Sequence, residues 1–77
     1  MSIRDELLAN YDYTQEVMQQ ASRNLMAARV ELDACKHSTL AWFMADRIYW
    51  QALQAEYCAY DAVMDAEIEL DQLDAQP

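Results

Sequence analysis

The chain contains no glycine, and its one proline, Pro77, is the last of its 77 residues. Tight hairpin turns, β-bulges and phosphate-binding loops rely on glycine because their backbones often need a positive φ. Alanine, the strongest helix former, supplies 13 of the 42 hydrophobic residues. The sequence therefore argues against β architectures and nucleotide-binding α/β folds, and it predicts an all-α protein.

Size, charge and cysteine content narrow the class further. At 9.0 kDa the chain has room for a single helical domain, which we assign to residues 1–77. Fourteen acids against five bases give a net charge of −9, which disfavours direct binding to nucleic acid or an anionic membrane. The N-terminal residues lack a signal-peptide pattern, no 18-residue apolar run occurs, and two cysteines are too few for a disulfide scaffold. We expect a cytoplasmic protein, in the host cytoplasm if it is viral.

The first half of the chain carries an unbroken heptad seam of apolar and small residues, which predicts a helix over about residues 3–35. Ser2 followed by Asp5 resembles a capping box at its start. A helix of this length is roughly 50 Å long. The alternative is a break near Asp12, where Asp12 or Thr14 could cap a new helix and give a three-helix monomer. The seam consists of Leu7, Tyr11, Thr14, Met18, Ala21, Leu25, Ala28, Leu32 and Cys35.

A polar turn at residues 36–38 leads to a second predicted helix over about residues 39–74, with Ser38 or Thr39 as its N-cap. This helix is unusual because it is apolar over most of its circumference. One flank is a row of small residues at four-three spacing: Ala41, Ala45, Ile48, Ala52, Ala55, Ala59, Ala62 and Ala66. Beside it lies a broad apolar stripe: Trp42, Phe43, Tyr49, Trp50, Leu53, Tyr57, Tyr60, Val63, Met64 and Leu70.

The two helices are predicted to form an antiparallel hairpin. The single seam of helix 1 can cover only part of the apolar surface of helix 2, and a bare two-helix hairpin has little interior. We therefore predict a homodimer in which two hairpins form a four-helix bundle. The alternatives are the three-helix monomer and a stripe left partly exposed for a foreign partner. The aromatic residues assigned to the dimer or partner interface are Trp42, Phe43, Tyr49, Trp50, Tyr57 and Tyr60.

No constellation in the sequence predicts catalysis or a metal site. His37 is the only histidine, and Cys35 and Cys58 lie too far apart on a hairpin to share a metal with it. Ser38 follows His37, but neighbouring turn residues are expected to point apart, which leaves no activated nucleophile. We expect a protein that is not an enzyme, with no catalytic residue, no metal and no cofactor.

Acidic residues are concentrated in the second half of the chain. Residues 1–37 hold six acids and four bases, whereas residues 38–77 hold eight acids and one base. Late acids on a helix oppose its dipole and repel one another at i,i+4, so stability does not explain their placement. Carboxylates on successive turns recur every ~5–6 Å, close to the phosphate spacing of a nucleic-acid strand. The acids assigned to a partner-binding face are Glu56, Asp61, Asp65, Glu67, Glu69, Asp71 and Asp74.

In size and charge the chain resembles the acidic phage-encoded DNA mimics that inhibit restriction enzymes or CRISPR effectors. The acidic second half beside the over-supplied apolar stripe leads us to expect a non-catalytic inhibitor of phage or mobile-element type, which blocks a nucleic-acid-processing complex with an acidic helix and an aromatic anchor. Its expected partner is a protein with a basic, nucleic-acid-binding surface. The alternative function is a homo-oligomeric structural or regulatory bundle, or an adaptor subunit, whose acids only confer solubility.

Overall fold

The computed structural model describes residues 2–75, and within this range the protein is two long helices joined by a short turn. Helix α1 spans Ile3–Ala34 and helix α2 spans Leu40–Asp74. They pack side by side and antiparallel into a rod with extents of 60 × 17 × 12 Å. The predicted all-α helical hairpin is confirmed. Its association into a four-helix bundle is a property of two chains and stays a prediction.

Helix α1 is continuous, so the alternative with a break near Asp12 is not adopted. Its start is capped by Ser2, whose Oγ accepts a hydrogen bond from the Asp5 backbone N at 3.1 Å. Thr14 does not cap a new helix, because its Oγ1 donates to the Tyr11 carbonyl oxygen at 2.8 Å. This bond satisfies the hydroxyl within the helix, and Thr14 is buried in the contact with α2.

The turn between the helices places one residue in the left-handed region. Ser38 has φ 66°, a conformation that glycine would adopt without steric cost. Thr39 is the N-cap of α2: its Oγ1 accepts from the Trp42 backbone N at 3.2 Å and donates to the Lys36 carbonyl oxygen at 2.7 Å. A turn without glycine therefore depends on a strained serine followed by a well-bonded threonine.

Replacing Ser38 by glycine is expected to stabilise the hairpin by about 0.5–1 kcal/mol, because relief of the left-handed strain exceeds the added entropy of the unfolded chain. Thermal unfolding followed by circular dichroism measures the effect. Ser38→Ala is the matched control, since it removes the hydroxyl and keeps the Cβ. If both variants were stabilised equally, the hydroxyl of Ser38 would be the source of the destabilisation, which would contradict the explanation by backbone strain.

The predicted seam of α1 is the surface that contacts α2, which confirms this prediction. Its most buried members, Thr14, Ala21 and Ala28, lie seven residues apart. The remaining seam residues are half-buried and alternate with them along the same side: Leu7, Tyr11, Met18, Leu25, Leu32 and Cys35. A heptad pattern therefore located the contact face of α1 correctly.

Only half of the small-residue flank of α2 contacts α1. Ala45, Ala59 and Ala66 are buried and Ala52 is half-buried, whereas the alternate members of the flank, Ala41, Ile48, Ala55 and Ala62, are exposed. One partner helix covers a strip only two heptad positions wide. The second position of that strip holds Trp42, Tyr49, Glu56, Val63 and Leu70. Among the described residues no side chain larger than valine is buried, so every large apolar side chain keeps contact with solvent.

Side-chain contacts between the helices fix their register. The Tyr11 hydroxyl donates to Glu67 Oε1 at 3.3 Å, and the Ser22 hydroxyl donates to Glu56 Oε2 at 3.0 Å. The two hydrogen bonds give the same register, because residues 11 and 22 of α1 are eleven positions apart and so are their partners, residues 67 and 56, on α2. At the open end of the hairpin, an ion pair joins the Arg4 guanidinium to the Asp74 carboxylate. The polar pairs therefore define one alignment over the length of the rod.

Candidate functional site

His37 and Ser38 are in contact at the turn, contrary to the expectation that they point apart. The Ser38 Oγ lies 2.9 Å from His37 Nδ1, and the Ser38 backbone has a positive φ. The His37 ring also packs against Trp42, with ring centroids 4.4 Å apart. Within residues 2–75 no carboxylate hydrogen-bonds this histidine, so the group that orients a catalytic base is missing. The contact between His37 and Ser38 is therefore interpreted as part of the structure of the turn.

The cysteines and the acids do not assemble a metal site in the described part of the chain. Cys35 is half-buried at the end of α1, Cys58 is exposed on α2, and both are free thiols. Between residues 2 and 75, no three side chains of the metal-binding types His, Cys, Asp and Glu converge on one point. Over the same range, neither helix combines the length and apolarity that a bilayer span requires.

Two of the six predicted interface aromatics, Trp42 and Tyr49, are half-buried at the contact with α1. The Arg29 guanidinium lies over the Tyr49 ring, 5.8 Å from its centroid, and also pairs with Asp33 at 3.2 Å. Contact with Tyr49, and then with Asp33, raises the pKa of Arg29 above its ordinary value, so its charge is constant over the physiological pH range. These residues support the hairpin itself.

The other four aromatics remain exposed on one broad side of the rod. Phe43, Trp50, Tyr57 and Met64 follow one another every seven residues on α2, and Tyr60 lies beside them. Their exposed fractions are 57%, 58%, 63%, 40% and 53% in that order. Leaving each large apolar side chain in water forgoes about 1.5–3 kcal/mol of burial free energy. We call this surface the aromatic face, made of Phe43, Trp50, Leu53, Tyr57, Tyr60 and Met64.

The half-buried aromatics support two rings of the aromatic face. Trp42 packs edge-on against Phe43, with ring centroids 5.2 Å apart, and Tyr49 packs against Trp50 at 5.9 Å. A shallow depression on this face is lined by Met18, Ser22, Glu56, Tyr57 and Tyr60. Phe43 and Trp50 are therefore each supported by the ring of the residue before them.

The opposite side of the rod is different in character. It is a shallow groove of small, apolar and amide side chains: Val17, Gln20, Ala21, Asn24, Ile48, Gln51, Ala52 and Ala55. Toward the open end its lining includes Glu69 and Gln72. We call this surface the small-residue face. The hairpin thus presents two broad faces of unlike chemistry.

The seven predicted partner-binding acids do not share one face. Glu56, Glu67 and Asp74 point toward α1, where they contact Ser22, Tyr11 and Arg4 respectively. The remaining four are exposed on the outer surface of α2. Three of these follow one another at four-residue spacing along one side, and the fourth lies toward the aromatic face: Asp61, Asp65, Glu69 and Asp71.

The hairpin collects the negative charge at one end of the rod, a feature that the count along the sequence had missed. The open half, residues 2–20 with residues 58–75, holds ten acids and one base. The turn half, residues 21–57, holds four acids and four bases. The entire net charge of −9 therefore lies in the open half. Folding the charge list back on itself at the predicted turn would have found this from the sequence.

Comparison with known protein families, with curated proteins and with solved structures gives no match. The features that point to a function are therefore the charge gradient along the rod and the exposed aromatic face. Both are properties of surfaces that bind macromolecules.

Proposed function

We propose that the protein is a non-catalytic inhibitor, of phage or mobile-element type, that blocks a nucleic-acid-processing complex such as a CRISPR effector or a restriction enzyme. Its acidic open half occupies the basic channel that normally holds nucleic acid, in the cytoplasm of the host. The single observation that carries this proposal is the placement of the whole net charge of −9 in one half of the rod. No enzymatic chemistry is required.

The density of charge in the open half supports nucleic-acid mimicry. Half of a 60 Å rod is about 30 Å, so ten acids give about one carboxylate per 3 Å. A single nucleic-acid strand carries one phosphate per 3.4 Å of duplex axis. Among the described acids of α2, Asp61, Asp65, Glu69 and Asp71 make no hydrogen bond or ion pair to α1, and the first three form an exposed row. A channel lined with lysine and arginine would meet a comparable linear charge.

Electrostatic attraction of this kind acts mainly on association. A cleft of one sign attracts a ligand of the other and raises its on-rate, and salt screens the effect over a Debye length of ≈ 10 Å at 0.1 M. An inhibitor that works in this way loses potency as ionic strength rises. It also competes with nucleic acid for the same channel.

The alternative function, a homo-oligomeric structural or regulatory bundle or an adaptor subunit, is supported by the exposed aromatic face. In that case the acids only keep the protein dispersed. In the sequence-based hypothesis the aromatic residues anchor the inhibitor on its target. A face buried in a dimer cannot also contact a target, so the inhibitor proposed here relies on its acids.

The inhibitor proposal is tested by neutralising the exposed acidic row in the triple variant Asp61→Asn, Asp65→Asn, Glu69→Gln. Loss of three carboxylates should raise the inhibitory concentration at least about tenfold at low salt and flatten its salt dependence. DNA-cleavage assays on a panel of CRISPR effectors and restriction enzymes, with and without competing DNA, measure this effect.

The matched control makes the same change in charge in the turn half: Glu31→Gln, Asp33→Asn, Asp46→Asn. It should keep the potency of the original protein within about twofold, because these acids lie outside the acidic half. An equal loss in both triple variants would contradict channel occupation by the open half. A protein that inhibits no member of the panel would support the structural alternative instead.

A further inference from the structure

We infer that the aromatic face binds the same face of a second copy of this chain, with the two rods antiparallel. The turn half of each rod then lies beside the acidic open half of the other. The inference is independent of the proposed inhibition, because it uses the aromatic side of α2 and leaves the row Asp61, Asp65 and Glu69 exposed. It also specifies which face is buried and in which direction the rods run.

The broad side of the rod that carries the aromatic face is large enough for a stable dimer. A broad side of the rod measures 60 × 17 Å, or about 1,000 Å² in projection, and a standard interface buries roughly 800 Å² on each partner. Exposed tryptophan and tyrosine are enriched at such interfaces and carry much of their binding energy. The surface therefore fits a partner of the same length, which a second hairpin supplies.

The central apolar residues of the aromatic face are symmetric about Tyr57, whereas its end residue Phe43 has Asp71 at the equivalent position. Trp50 precedes Tyr57 by seven residues and Met64 follows it by seven. Tyr57 also lies at the middle of α2, close to the boundary between the turn half and the open half. A two-fold axis at Tyr57 places Trp50 of one copy against Met64 of the other and overlaps the rods along their full length.

Charge selects the antiparallel arrangement. In a parallel arrangement the two open halves, each with a net charge of −9, would lie side by side and repel within a Debye length. The antiparallel arrangement separates the open halves to opposite ends of the dimer. On the side of α1 that borders the aromatic face, it also brings Asp12 of one copy toward Arg29 of the other.

The small-residue face offers a second copy less side-chain area to bury. Its lining is mostly alanine and amide side chains, with Val17 and Ile48 as the larger apolar members. Such side chains contribute less to an interface than tryptophan and tyrosine do. The small-residue face therefore stays exposed, and the dimer presents one acidic half at each of its two ends.

Sedimentation equilibrium at micromolar concentration tests the dimer, and the expected mass is twice 9.0 kDa. Tyr57→Glu places two like charges at the two-fold axis and should weaken the dimer at least about 100-fold. The matched control Ala55→Glu adds the same charge to the exposed small-residue face and should leave the dimer intact. A monomeric original protein, or dissociation caused by Ala55→Glu, would overturn the inference.

Cysteine cross-linking tests the direction of the rods, and it does not depend on the folding of the Tyr57→Glu variant. In a background with Cys35→Ser and Cys58→Ser, oxidation of the variant Tyr57→Cys should yield a covalent dimer. The variant Ser38→Cys should remain uncross-linked, because antiparallel rods keep the two turns at opposite ends. Cross-linking through position 38 in place of position 57 would overturn the antiparallel arrangement.

Discussion

Replacing Ala66 by leucine is expected to destabilise the hairpin by about 1–3 kcal/mol. Ala66 is 2% exposed and lies in the buried row of α2, where a small side chain allows α1 to approach closely. A leucine there pushes the two helices apart or takes a strained rotamer. Because 1 kcal/mol shifts Tm by about 4–8 °C in a domain of 60–100 residues, thermal unfolding detects the change easily.

The matched control for Ala66→Leu is Ala62→Leu, one turn earlier on the same helix. Ala62 is exposed on the small-residue face, and its substitution should change the free energy of unfolding by less than about 0.5 kcal/mol. Both variants must be compared at one chain concentration, since self-association raises apparent stability. Equal effects at the two positions would contradict the assignment of the buried alanine row.

Replacing Glu56 by leucine is expected to stabilise the hairpin by about 1–2 kcal/mol. Glu56 occupies the contact row of α2 between Tyr49 and Val63, where it is half-buried and accepts a hydrogen bond from Ser22 at 3.0 Å. Replacing a partly desolvated polar group with an apolar side chain of similar volume is often stabilising. The original glutamate is explained by specificity, because a polar residue in a helix seam fixes register at a cost in stability.

Urea unfolding of Glu56→Leu measures this gain, with Glu31→Leu as the matched control. Glu31 is exposed on α1, so the same substitution there should change stability by less than about 0.5 kcal/mol. A loss of stability in Glu56→Leu would show that the hydrogen bond to Ser22 outweighs the burial of the leucine. That result would make the pair a stabilising element of the hairpin.

The acidic row and the aromatic face lie on different sides of α2, so inhibition and dimerisation are compatible. Asp65 and Glu69 lie toward the small-residue face, whereas Trp50 and Tyr57 lie on the aromatic face. A dimer built as inferred would carry two acidic halves at opposite ends of one rod. Each half could then enter the channel of a separate target molecule.

Much of the hairpin could be predicted from local pattern. The seam of α1 repeats without interruption, which favoured a continuous helix over a break near Asp12, and the polar residues 36–38 marked the turn. The helix, the turn and the contact face of α1 followed from these two features. The contact face of α2 could not be found in this way. Its apolar residues surround most of the helix. A helix that is apolar on several sides does not show in its sequence which side contacts α1.

The sequence by itself determined two long helices and one reversal of direction, because helix propensity and heptad spacing act between residues close along the chain. Only the tertiary structure decided that Ala45 and Ala59 are buried while Ala41 and Ala55 are exposed. The collection of the net charge at one end follows from the predicted turn, which brings residues 2–20 beside residues 58–75. The choice of buried alanines depends on how two helices fit together, which no property of either helix alone contains.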